Sequence, residues 1–219
     1  MTLTIELSGD LNQDEALSRA VLARATQEGQ DTEIARQCAS LTHICLMQGE
    51  LDEAEALCRR ALAIHEQLGS QEGVAADFRN VSLVFGERVD YDQAEAMLMK
   101  ALEIHEEIGD PEGIASHYRD RGSLQFARGD LAGAEAMHRR SLELHRARGD
   151  WEGIAAQHGN LGYLYDKRGE LARACRHIGF SARLYDQSGA KRRADLMRSL
   201  RRVMIRESGG NDRCRGAAR

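Results

Sequence analysis

The chain has 219 residues, of which 42% are hydrophobic and 30% charged, and a formal net charge of −5, which fits a soluble globular protein. No run of about 18 apolar residues exists, which excludes a membrane-spanning helix. Met1 to Asp10 has no basic residue ahead of its apolar positions and is not a secretory signal, so the expected compartment is the cytoplasm.

A single proline and a composition rich in Ala, Leu, Glu and Arg favour helices, because these side chains lose little rotamer freedom there. The five cysteines, at 38, 45, 58, 175 and 214, are odd in number and form no Cys-x-x-Cys. This argues against a disulfide framework and a structural zinc site, and most of them are expected to be small core residues. The charge is unevenly spread: residues 191–219 carry ten Lys or Arg against three acids, +7, and the rest of the chain carries −12.

In chain order, Met1 to Leu7 alternates Leu3, Ile5 and Leu7 with polar residues and is read as a frayed tail. From Gly9 onward a 40-residue period sets in. Gly29, Gly69, Gly109, Gly149 and Gly189 form one column; Gly9, Gly49, Gly129, Gly169 and Gly209 form another, broken only by Val89. Each glycine reads as a helix stop, since it takes the left-handed conformation that ends helices. Asp110 and Asp150 offer N-cap oxygens just after two of these stops, and Pro111 stands at a first helical position. The punctuation predicts ten helices, at 11–28, 32–48, 51–68, 71–88, 91–108, 111–128, 131–148, 151–168, 171–188 and 191–207. In 131–148 the inward stripe is Leu131, Ala134, His138, Ser141, Leu142 and Leu144; in 151–168 it is Ile154, His158, Leu161, Leu164 and Tyr165. Residues 209–219 lack an apolar period and are expected to be disordered.

Leu161-Gly162 and Tyr165, followed by Gly169, Ala174 and Ser181, resemble the tetratricopeptide pattern; Ala134 with Ser141, Ala94 with Ala101, and Ala54 with Ala61 repeat parts of it. The 40-residue unit is similar to the longer-helix variety found in kinesin light chains and bacterial regulators. The resemblance implies an all-α fold: a right-handed superhelical solenoid with a leading helix, full repeats at 31–68, 71–108, 111–148 and 151–188, and a solvating cap helix at 191–207, together one domain over 9–208. Arg121, where the equivalents are Leu41, Val81 and Leu161, and Gln125, in place of the aromatics Phe85 and Tyr165, depart from the pattern and predict either a locally looser third repeat or a specialised groove there.

The resemblance also implies that the first helix of each repeat lines a concave surface. Matching positions place Arg79 and Arg119 in one row and Asn80, Asp120 and Asn160 in the next, with His43 and Tyr163 in a third and Arg36 in a fourth. An asparagine carboxamide both donates and accepts, so it suits the backbone of an extended ligand. Arg79 and Arg119 add forks suited to carboxylates. The reading is therefore a scaffold for a protein or peptide partner with acidic side chains, not an enzyme. Two alternatives use the basic end: phosphate contacts to nucleic acid through Lys191, Arg192, Arg193, Arg201, Arg202 and Arg206, against which the absence of interleaved aromatics weighs, and self-association with another copy's acidic body. No cofactor motif is present and no metal is expected. His65, His105 and His145 recur at 40 residues, too far apart to share an ion, and His138 and His158 are expected to be satisfied core residues. Arg88, Arg128 and Arg168, each closing a helix, are read as structural.

Overall fold

A computed structural model describes residues 11–207. The tail at 1–8, Gly9, Gly209, Cys214 and the segment 209–219 lie outside the described residues. Among those residues the chain forms ten α-helices: α1 Leu11–Glu28, α2 Asp31–Gln48, α3 Leu51–Leu68, α4 Gln71–Glu87, α5 Tyr91–Glu107, α6 Pro111–Ala127, α7 Leu131–Ala147, α8 Trp151–Lys167, α9 Leu171–Gln187 and α10 Lys191–Glu207. The bounds agree with the predicted ones within one residue. No helix among them is long and apolar enough to cross a membrane.

The stops are where the glycines are. Gly29, Gly49, Gly69, Gly109, Gly129, Gly149, Gly169 and Gly189 all have φ between +65° and +86°. Caps follow at once: Asp110 Oδ1 accepts from Glu112 N at 2.9 Å, Asp150 Oδ1 from Gly153 N at 2.9 Å, and Asp130 Oδ1 from Gly133 N at 2.9 Å. Each cap satisfies one of the orphan donors of a helix start. Turns this short force consecutive helices to run antiparallel.

The chain divides at Gly109/Asp110 into two compact units. In the first, α1 to α5 pack in sequence around Ile34, Leu41, Ile44, Leu57 and Val84, with the free thiols Cys38, Cys45 and Cys58 buried among them. In the second, α6 to α10 pack in sequence; Ile154, Leu161, Leu164, Tyr165, Ile178, Leu184 and Met204 form the core. Leu11 is exposed and Leu22 only partly buried. Arg121 is half-buried. The cap helix leaves Lys191, Arg192, Arg193, Arg198, Arg202 and Arg206 exposed. Leu196 is 61% exposed and Val203 45%, an apolar stripe at helical spacing set among the arginines.

Arginines tie successive repeats together. Arg88 donates to Asp52 Oδ1 at 2.6 Å and to Glu55. Arg168 donates to Glu135 and to the Leu131 carbonyl. Two members of the Arg88, Arg128, Arg168 column are thus structural, by reaching back one hairpin as well as by closing a helix. Glu135 also accepts from Tyr165 Oη at 2.6 Å and Arg139 Nε at 3.0 Å. Burial alone would raise its pKa, but these donors outweigh it and hold the carboxyl down to about 2.

Two outcomes are expected. Val89 has φ +63° where its equivalents are glycine, and a β-branched residue there is strained by about 1–2 kcal/mol. After the entropy that glycine adds to the unfolded chain, Val89→Gly should raise stability by about 0.5–1 kcal/mol in urea melts. Because the folded pKa of Glu135 lies below its unfolded value, its stabilisation is complete above about pH 4.5 and is lost as pH falls toward 2. Glu135→Gln should cost about 1–3 kcal/mol at pH 7 and flatten the pH dependence of stability across that window.

Candidate ligand-binding face

The proposed site positions fall in both units, and each unit is taken with its own neighbours. In the first, Arg36 on α2 is held by Glu33 one turn away, Nε to Oε2 at 2.9 Å. Desolvation, then the charge of Arg79, lowers the pKa of His43, so these positions of α2 and α4 sense each other. Asn80 is only 7% exposed, and Arg79 is half-buried. Asn80 thus offers little surface to a ligand.

In the second unit, Arg119 on α6 turns onto its neighbour Asp120, with Nε to Oδ1 at 2.8 Å and Nη2 to Oδ2 at 3.3 Å. Asn160 on α8 is half-buried; its Nδ2 donates to Gln157 Oε1 at 3.4 Å. Tyr163 is 41% exposed, lies 5.3 Å from the Phe126 ring, and has Lys167 over its own ring at 5.2 Å. Arg119 borders a cleft of about 380 Å3, together with Ser116, Ala156, Gln157, Asp150, Glu152 and Arg193. Arg119 therefore meets Ser116 and Ala156, which stand 80 and 120 residues after Arg36 in the period, at one concavity.

Gln157 is the residue that sequence reasoning missed. It is fully buried, its Oε1 is 3.1 Å from His138 Nδ1, and its Nε2 is buried with no hydrogen-bond partner. Burying a donor unpaired costs about 1–3 kcal/mol. The signal was available in the period: Gln37, Asp77, His117 and Gln157 stand 40 apart, each polar and each at most 2% exposed. His138, paired with Gln157, fits the expected satisfied core residue. His158 fits it only in part: its Nδ1 lies 2.9 Å from His177 Nδ1, but its Nε2 is buried without a partner.

The histidine ladder is engaged within the chain. His65 Nδ1 lies 2.6 Å from Asp77 Oδ2, and His145 Nδ1 lies 2.8 Å from Asp150 Oδ2. One trio among the described residues, Cys45, Glu50 and Glu53, brings ligand atoms within 4.8 Å. It suits a metal poorly. Glu53 already accepts from Arg19 at 2.7 Å, and burial, then Glu53 and Glu50, pushes the Cys45 thiol up to about 11. The basic end is partly spent as well: Arg193 donates to Glu152 at 2.8 Å and Arg198 to Asp195 at 2.7 Å.

Residues 38–107 match a family model described as tetratricopeptide repeat. No curated protein matches the chain. Among solved structures, BtubC (BKLC) from P. vanneervenii is similar with a TM-score of 0.64 at 16% identity, over 92% of this chain and 93% of that one. A putative kinesin light chain with TPR-like repeats from Podosopora anserina is similar with a TM-score of 0.52 at 13% identity, over 79% of this chain and 95% of that one. At these identities the likeness is one of fold.

Proposed function

We propose that this chain, a tetratricopeptide-repeat protein, is a scaffold that holds an extended segment of a partner protein on the first-helix face of its second unit. Repeats of this class commonly mediate protein–protein interaction, and the fold does not by itself choose the ligand. The observation that carries the reading is the cleft of α6 and α8, where Ser116, Arg119 and Ala156 meet. Asn160, one turn along α8 from Ala156 and half-buried, carries both a donor and an acceptor for a peptide unit. Tyr163, one turn beyond, offers a half-exposed ring to an apolar side chain.

Charge narrows the ligand. Glu112, Asp150 and Glu152 line the cleft alongside Arg119 and Arg193, so a strongly acidic segment meets repulsion there. An acidic side chain is accommodated at Arg119 by exchange with Asp120, because partly exposed ion pairs contribute only about 0–1 kcal/mol. The ligand we propose is an extended segment of mixed charge with an acidic side chain placed against Arg119.

Isothermal titration against a library of extended peptides checks this. A binding peptide should lose about 5- to 30-fold in affinity on Asn160→Ala or Tyr163→Ala, the equivalent of about 1–2 kcal/mol. Asn80→Ala should leave it unchanged, since Asn80 is buried in the other unit. Equal affinity in wild type, Asn160→Ala and Tyr163→Ala would remove the site.

A further inference from the structure

A second cleft, of about 240 Å3, lies on α7, α8 and α9 and shares no lining residue with the first. Its walls are Arg146, His158, Arg176, His177, Phe180 and Arg183. The helix period builds it: Arg176, Phe180 and Arg183 stand at i, i+4 and i+7 on one face of α9. The cleft thus gathers three guanidinium groups and two imidazoles, with no carboxylate among the lining residues.

The pairing pattern sets these three arginines apart. Elsewhere on the same helices, Arg139 sits on Glu135, Arg140 on Glu143 and Arg173 on Glu170. Among the described residues, Arg146, Arg176 and Arg183 have no carboxylate partner, and Arg183 lies over the Phe180 ring at 5.6 Å. The floor is also incomplete. His158 is 8% exposed, packs edge-on against Phe180 at 4.6 Å and leans on His177, yet its Nε2 is buried with no hydrogen-bond partner. When His177 Nδ1–H donates to His158 Nδ1, the His158 proton resides on Nε2, and that N–H is a donor lacking an acceptor.

We propose that this cleft is a binding site for a phosphate monoester. A phosphate monoester is close to dianionic at neutral pH and presents three terminal oxygens. Three guanidinium forks and an imidazole N–H match that set better than a single carboxylate, which two forks would saturate. The volume lies below the usual range for clefts that enclose a drug-sized ligand, about 300–1,000 Å3. The phosphate and its ester oxygen therefore occupy the cleft while the carrier stays outside, whether it is a phosphorylated side chain or a small free phosphate.

The test uses the whole chain and three probes: inorganic phosphate, a short peptide bearing phosphoserine, and the same peptide unphosphorylated. Titration should show saturable binding of the first two and none of the third at equal concentration. A phosphopeptide at least tenfold tighter than inorganic phosphate assigns the carrier to a protein; equal affinity assigns it to a small free phosphate. Arg176→Ala and Arg183→Ala, both at exposed positions, should each weaken binding about tenfold or more, and Arg140→Ala, an exposed paired arginine of α7, should leave it unchanged. The imidazoles give a second readout. Burial first, then His177 and Arg146, hold the His158 pKa near 4; burial first, then Arg139, Arg176 and Arg146 against Glu135, hold that of His177 near 4. A bound anion opposes the arginine charges, so the histidine resonances should titrate at higher pH with phosphate present. No saturable phosphate binding at millimolar concentration, or equal binding by wild type, Arg176→Ala and Arg183→Ala, would overturn the proposal.

Discussion

The constraint on which this molecule depends is the left-handed residue that closes nearly every helix. A helix of 17 or 18 residues must end and the next must begin within two or three residues. A glycine with positive φ turns the chain at little steric cost, and the following Asp or Ser caps the next helix in several turns. With the turn fixed, consecutive helices must be antiparallel and in contact. Side chains 33 to 41 residues apart, such as Arg88 with Glu55 and Arg193 with Glu152, then come within hydrogen-bond reach. The period of 40 is the length of two such helices with their turns.

That dependence explains what could be read from the sequence. Helix ends are local events, set by glycine, aspartate and proline at fixed offsets, so the ten helices were legible to within a residue. Even the exception was visible, since Val89 interrupts a glycine column and takes the glycine conformation regardless. Partner choice is not local. Asn80 and Asn160 occupy equivalent positions, but one is buried and the other half-open, because surrounding side chains differ between repeats. Arg119 looked like a fork for a ligand's carboxylate, but its adjacent Asp120 answers it first. The period assigns equivalent positions, but their exposure depends on neighbours that the period does not give.

Some couplings lay in the sequence without announcing themselves. His65, His105 and His145 invite a metal reading, yet each is followed eight residues later by glycine, at 73, 113 and 153. A Cβ at Gly73 would fall 2.4 Å from His65 Cγ, and one at Gly153 would fall 2.1 Å from His145 Nδ1. At these two sites the imidazole of one helix packs onto the bare backbone of the next, where a nearby carboxylate holds it. The ladder records interhelix packing repeated by duplication, and the small residue is half of each pair.

Arginine supplies 27 of the chain's 30 basic residues, and the contacts give that bias a physical sense. Arg88 bridges Asp52 and Glu55, and Arg168 bridges Glu135 and a carbonyl. A planar fork can reach two acceptors on one neighbouring helix with its geometry fixed; an ammonium on a flexible stem is less suited to that task. On α7 and α9, among the described residues, Arg139, Arg140 and Arg173 are paired with carboxylates, whereas Arg146, Arg176 and Arg183 are not. The three such residues on those helices converge on one cleft beside a buried imidazole with an unmet nitrogen, so two independent features of the second unit, charge and hydrogen bonding, leave room for the same kind of ligand. In the cleft of α6 and α8, by contrast, Arg119 and Arg193 are already answered by carboxylates, which disfavours a free anion there.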